Sequence, residues 1–534
     1  MRKHMKFFSL LLVLIFVFTA CSGKKTAPPA KTDPATSTSK DNASNNKNED
    51  ENKPKEKVKL KYLYPLASEY LQVVDDLNGS IVIQKLSEMM NIDFEFIHLT
   101  TGQETEQFNL MIASNDLPDM ITHDFGVPAY PGGGDKAIAD DNYLRLNELV
   151  ESHAPHFKKL LDNDAELRKT IITDEGNIWG LPMIDKVAQD SFVGPVVRQD
   201  WMDELNLKTP VTIDDWYHIL TELKNKKNVQ IPFIMGSQGL PQNDAFIGAY
   251  GVNSSFFQVN NKVKFGPIEN GYREYLTEMN KWYNEGLIDK DFPTGNQDAA
   301  YMTTGKAATL TGGFWIFEPW EAASEDPNMK LRGVPYPSLK EGEKAHFRQN
   351  NLRMRGFHTA ITTACKNPER AMEFMDYFYS DEGFVLANYG IEGETFEIVD
   401  GKYKFTETVT KNAEGVPMQI AFVKYVYNHG AFLRDWHRED EVFADFALDA
   451  CDIWENSADA DYMMPPLTLT VEEGAEYANI MSDINTYANE MRLKFIMGAE
   501  SLDKFDDYVK QIESMNIQRA IELQQIALDR YNQK

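Results

Sequence analysis

The chain has 534 residues, 42% hydrophobic and 12% aromatic, enough for two or three globular units with large cores. A formal charge of −28 and a pI near 4.8 set long-range repulsion against polyanions, so nucleic acid is not an expected partner and an acidic polysaccharide is disfavoured. The three cysteines, Cys21, Cys365 and Cys451, are too few for a disulfide-dense scaffold or a thiolate metal cluster. A Cys365–Cys451 bridge and two buried free thiols both remain open.

Residues 1–21 carry a short basic head, an almost unbroken apolar stretch over 7–18, and Thr19-Ala20-Cys21. This is the layout of a secretory signal, too short to span a bilayer as a helix. The final triplet resembles the lipobox of bacterial lipoproteins, which implies that Cys21 is lipidated and becomes the new N-terminus. An ordinary cleaved signal would share the head and core. Residues 22–57 contain no aromatic and no large aliphatic side chain, so they cannot repay the entropy of ordering. The segment is predicted to be a disordered tether reaching about 35 Å root-mean-square. These two segments place the body outside the cytoplasm, lipid-anchored at the outer face of the membrane.

The body opens with VKLKYLY (58–64), whose alternation predicts a strand. Ser80 precedes a helical pattern through Ile81, Ile83, Leu86 and Met90. Residues 92–96 form a second strand pattern, a helix carries Phe108, Met111 and Ile112, and residues 119–122 form a third strand. A β-α-β-α-β order predicts a mostly parallel sheet, with ligand beyond the carboxyl ends of its strands, near His123 and Asp124. Thr212 with Asp215, and Thr470 with Glu473, have the spacing of helix N-caps. Asn367-Pro368-Glu369 has the order of a cap, a first-turn proline and a first-turn acid.

Several segments, in order, resemble family 1 extracellular solute-binding proteins, the receptors of ABC importers for oligosaccharides. They include ASNDLPDM (113–120), GNIWGLP (176–182), RQDWMDELNLKTPVTIDDW (198–216), KWYNEGLIDKDF (281–292), NPERAMEFMDYFYSDEG (367–383) and NYGIEGETF (388–396). The resemblance spans nearly all of the body and points to the large lipoprotein branch of Gram-positive bacteria. It implies an α/β chain with a two-lobe periplasmic-binding-protein-like fold of type II, a hinge between lobes, and extra C-terminal helices. Lobe 1 is expected at 58–183 with 316–360, and lobe 2 at 184–315 with 361–534. It also implies an oligosaccharide ligand, membrane permease subunits as partners, a monomer and no cofactor.

A sugar offers hydroxyls and flat C–H patches, so its site needs aromatic faces and planar polar groups in a cleft. Trp315 and Trp320 follow two glycines in GGFWIFEPW (312–320), and Trp436 lies in FLRDWHRED (432–440). Trp179 stands where the resembled family usually has an aromatic residue. Each tryptophan has an alternative role in a core. Asn243, Glu392, His123 and Asp124 are candidate hydrogen-bonding groups, and Arg198 belongs to the family motif with Asp200 as a structural partner.

No phosphate loop, HExxH or GxSxG pattern occurs, so no catalytic or metal site is expected. Some large relatives bind calcium after the helix that follows the "TldEw" motif, whereas LKNKKNVQIPF (223–233) here has no carboxylate. The expected function is a receptor for a neutral or weakly charged oligosaccharide. The alternatives are a secreted glycoside-active enzyme, a binding protein for peptide or another solute, and a sensor subunit.

Overall fold

Alternating and fully buried strand patterns fold into two main sheets, each with its own core, and two hairpins, over 256–265 and 396–405. A computed structural model describes residues 56–124, 126–235, 245–294, 298–349, 352–440 and 442–534. The expected signal peptide, Cys21 and nearly all of the tether lie outside the described residues, as does Asn243. In chain order the strands are β1 (Val58–Leu63), β2 (Ile92–Ile97), β3 (Met120–His123), β4 (Leu181–Asp185), β5 (Val193–Arg198), β6 (Ile231–Ile234) and β7 (Phe256–Val259). They continue as β8 (Lys262–Phe265), β9 (Ala307–Gly313), β10 (Leu331–Gly333), β11 (Met354–Ile361), β12 (Phe396–Val399), β13 (Lys402–Phe405) and β14 (Phe432–Arg434).

The first sheet has the order β14-β4-β11-β3-β1-β2. Strand β1 pairs in parallel with both β2 and β3, as the β-α-β-α-β opening predicts, with intervening helices at Ile81–Met90 and Glu104–Ser114. Asn91 and Asn115 end those helices in the left-handed conformation that asparagine tolerates. Strand β11 runs antiparallel between β3 and β4, and β14 closes the edge in parallel with β4. Inside this sheet the hydroxyls of Tyr62, Thr122, Thr359 and Tyr427 satisfy one another, with Tyr62 Oη 2.6 Å from Thr122 Oγ1 and Thr122 Oγ1 2.7 Å from Thr359 Oγ1.

The second sheet has the order β10-β5-β9-β6, and Trp216, Trp282 and Trp454 are fully buried around it. Both expected capping boxes form, at Thr212 with Asp215 and at Thr470 with Glu473. The C-terminal helices Val471–Met497, Phe505–Ser514 and Ile517–Gln533 pack on this second core.

The exchange of segments between lobes differs from the expectation. Residues 316–349 belong to lobe 2, because β10 pairs with β5 and Phe317, Tyr336 and Phe347 fill its core. Residues 361–435 belong to lobe 1, because the helix Pro368–Tyr377 packs on its core and β14 extends its sheet. Residues 181–182 open β4, 311–313 end β9 and 359–361 end β11, so none of them passes between lobes. The chain crosses between β4 and β5, between Gln349 and β11, and after β14.

Away from those crossings, lobe 1 also meets the C-terminal part of lobe 2. Asp174, on the loop before β4, has a side chain only 2% exposed and meets Arg530 Nε and Lys534 Nζ, each at 2.7 Å. Cys365 and Cys451 are buried and free, one in each core.

Candidate functional site

Where the chain crosses between lobes it leaves a cleft of about 530 Å³. Lobe 1 lines it with Tyr70, Arg355, Phe357, Phe422 and His429, and lobe 2 with Phe192, Phe314, Trp315 and Phe443. Trp315 is 44% exposed. Its ring centroid lies 5.6 Å from that of Phe192 and 5.8 Å from that of Phe314, and Phe314 meets Phe443 edge-on at 4.6 Å. A Cβ on Gly313 would lie 2.2 Å from the Trp315 ring, so the second glycine of the pair is the space in which that indole rests.

Beside the aromatic wall stand three arginines. Arg355 Nε donates to Asp185 Oδ2 at 2.6 Å, and its Nη2 donates to Gln189. Arg434 Nη2 donates to Glu439 Oε1 at 2.5 Å and lies 3.5 Å from Asp185 through Nη1. Arg438 donates to the Tyr427 carbonyl and to Asn428 Oδ1, while its buried Nε has no hydrogen-bond partner. The Asp185 side chain is fully buried beneath the first two. Burial, then the charge of Arg434, pushes Arg438 down to about 10. Burial also lowers Arg355, partly offset by Asp185. In Arg434 burial is outweighed by Glu439 and Asp185, so its pKa is raised. Glu439 is lowered because Arg434 and Arg438 outweigh its own burial.

A second depression, about 300 Å³, lies at the carboxyl ends of β1, β2 and β3 and shares Tyr70 and His429 with the first. Glu69, Glu104 and Asp124 line it. Asp124 Oδ2 is 2.8 Å from His429 Nδ1, and the His429 backbone is fixed by Tyr64 Oη, which accepts from its N–H and donates to its carbonyl.

Of the residues singled out from sequence, Trp315 lines the cleft and Asp124 lines the depression beside it. His123 is buried between the Pro128 carbonyl and Tyr143 Oη, and burial pushes it down to about 4. Trp179 stacks on His358 at 4.4 Å inside lobe 1. Trp320 packs against the lobe 2 core. Trp436 stacks on His437 at 3.9 Å and is not among the cleft residues. Arg198 is fully buried, forks onto Asp200, and reaches Asp326 at 2.8 Å, the structural alternative. Glu392 is exposed on a shallow outer face of lobe 1 with Asp381 and Glu382. Sequence reasoning missed the arginines and His429. Arg434 and Arg438 flank the tryptophan of FLRDWHRED, and the alternating Arg353 and Arg355 precede β11's core-facing half; both were available signals.

The family profile described as bacterial extracellular solute-binding protein matches residues 89–383. The fructooligosaccharide ABC transporter substrate-binding protein FusA of Streptococcus pneumoniae is 23% identical, over 85% of this chain and 88% of that one. The polygalacturonan/rhamnogalacturonan-binding protein YtcQ of Bacillus subtilis is 23% identical, over 81% and 84%. Among solved structures, alginate-binding protein AlgQ2 without calcium ion superposes with a TM-score of 0.69 at 27% identity, covering 90% of this chain and 98% of that one. FusA of S. pneumoniae in complex with kestose gives 0.70 at 20% identity, over 89% and 99%.

Proposed function

Because the chain belongs to the bacterial extracellular solute-binding protein family, we propose that it traps an oligosaccharide between its lobes for a membrane ABC permease. Membership makes it a binding protein and not an enzyme. The observation that carries the oligosaccharide reading is Trp315, a half-exposed indole in a cleft that both lobes line with aromatic and polar side chains. Such a face stacks on the C–H surface of a sugar ring, while Gln189, Gln419 and Asn428 supply planar partners for hydroxyls. The ligand must touch both lobes to bias the hinge, and residues from both lobes line this cleft.

Lipidation at Cys21, a flexible tether over 22–57, and a monomeric body belong to the same proposal; the sequence of residues 1–57 supports the first two. Among the described residues no helix is long and apolar enough to cross a membrane. Among the described residues Glu439 is the one carboxylate that lines the main cleft, and Arg434 and Arg438 hold its pKa down, so no acid–base pair faces across it there.

A thermal-shift screen of the purified chain against plant and microbial oligosaccharides, with a peptide mixture alongside, tests the reading. Ligand at a hundred times its Kd adds about 2.7 kcal/mol of stability. A raised midpoint with one saccharide class is the expected result. A shift with peptides and none with any saccharide would overturn the ligand.

A further inference from the structure

We infer that the contact between the loop 172–176 and the C-terminal helices is a latch that holds the lobes in their open arrangement, so that closing over a ligand has to break it. The latch is a property of the empty protein; only its effect on affinity rests on the oligosaccharide reading above.

Both sides of the latch are held firmly by their own lobes. In lobe 1, Asp135 accepts from Thr173 Oγ1 at 2.9 Å and from Asn177 Nδ2 at 2.8 Å, and Asn147 Nδ2 donates to the Gly176 carbonyl. In lobe 2, Arg530 forks onto Glu473 of the Thr470 capping box at 2.8 and 2.6 Å, which ties the helix Ile517–Gln533 to the start of the helix Val471–Met497. Between them Arg530 and Lys534 clasp Asp174, the Asp174 N–H donates to Thr468 Oγ1 at 3.0 Å, and the Val471 N–H donates to Glu175 Oε1 at 3.1 Å. A carboxylate this deeply buried is costly without its cations, so the contact is either made or broken and does not slide.

The place of the latch decides what breaks it. The three crossings lie side by side on the neighbouring strands β14, β4 and β11, at the carboxyl ends of β14 and β4 and at the start of the antiparallel β11. An axis through them runs across the strands. The latch loop stands at the other end of β4: just after it, the Ile178 carbonyl accepts from the Leu146 N–H, and the nearby Leu144 N–H donates to Ile361, at the end of β11 furthest from its crossing. The five residues of β4 separate the two levels by about 15 Å. At that distance from the axis each turn of about 10° moves one lobe past the other by about 2.6 Å, enough to part groups that meet at 2.7 Å.

The latch is made while the cleft stands open. Trp315 is 44% exposed, and its ring neighbours Phe192 and Phe314 belong to its own lobe. Closure on a ligand therefore starts from the latched arrangement, and whatever the latch contributes is subtracted from the affinity.

Spin-label distance measurement on the ligand-free full chain in detergent tests this. Labels at Leu110→Cys and Leu339→Cys, exposed positions on lobes 1 and 2, report lobe orientation; Cys365 and Cys451 are buried, and a sample without the added cysteines supplies the background. The parent should give one narrow distance distribution. Asp174→Asn and Arg530→Gln, each with the helical dichroism of the parent, should add a second population. Folded variants that keep the parent's distribution overturn the inference, whatever the ligand is. The second readout is calorimetry with a saccharide that raises the parent's midpoint: the variants should bind it about three- to tenfold tighter although they are less stable, a gain that a purely structural contact would not give. Equal or weaker binding by the folded variants also overturns the latch. If no saccharide acts on the parent, the oligosaccharide reading falls and the distances still decide the latch.

Discussion

Replacing Trp315 with alanine probes the cleft at its most exposed large aromatic. An indole side chain presents up to about 250 Å² when fully bared. With 44% of it exposed, roughly 110 Å² remains for a ligand to cover. At about 25 cal/mol per Å² this amounts to about 2.7 kcal/mol, close to a hundredfold in Kd. The other part of the ring already packs on Phe192, Phe314 and the backbone of Gly313, so the variant also loses some stability within lobe 2. Calorimetry with a saccharide that raises the parent's midpoint, alongside denaturant unfolding of both proteins, separates the two losses. Weakening of affinity by ten- to a hundredfold in a folded variant is expected. A folded Trp315→Ala protein with the parent's affinity would refute the placement of the sugar against this ring.

Burial holds both His123 and His358 down to about 4, against about 6.5 for an exposed histidine. Between those values the unfolded chain takes up protons that the folded chain refuses. Stability present above pH 6.5 should therefore be lost as pH falls toward 4, by up to about 1.4 kcal/mol per pH unit for each histidine. Denaturant midpoints across that window check it, and His358→Gln should flatten the slope. Asp174→Asn should cost about 1–2 kcal/mol, below the value for a wholly buried pair because Arg530 and Lys534 are 29% and 23% exposed. Limited proteolysis should then release the end of the helix Ile517–Gln533 faster than in the parent. Gly134→Ala puts a Cβ 2.1 Å from the Trp179 ring, which should cost about 1–3 kcal/mol and alter the near-ultraviolet dichroism of tryptophan.

Local rules made the start of lobe 1 and the helix caps legible. Alternation in VKLKYLY, the asparagines closing the first two helices, and the threonine capping boxes are each decided within a few residues. The lobe exchange was not legible, because it depends on pairing across long separations. Strand β11, MRGFHTAI, mixes polar and apolar residues in a way that suits either sheet, and its register against β3 and β4 assigns it to the first. The glycine pair 312–313 ends a strand paired with β5 and makes room for Trp315, which only the fold reveals. The arginine wall was hidden for the same reason: Arg355 finds Asp185 from 170 positions away. Trp179 and His123 have the composition of a binding site, and their mutual packing with Tyr143 makes them core.

The pairing of β14 with β4 has a consequence for how the molecule is made. Phe432 lies beside Met183, and Leu433 beside Ile184, so a chain delivered N-terminus first cannot complete its first lobe until about four-fifths of it has emerged. Lobe 2, interrupted by the same excursion, must wait for its C-terminal helices. Such non-local closure slows folding, and for a polypeptide that is threaded outward before it folds, slowness is protective: neither half can lock into its final shape while the remainder is still inside. The discontinuity that lets three chain passages act as a hinge is thus also a timing device, set by topology and independent of any single side chain.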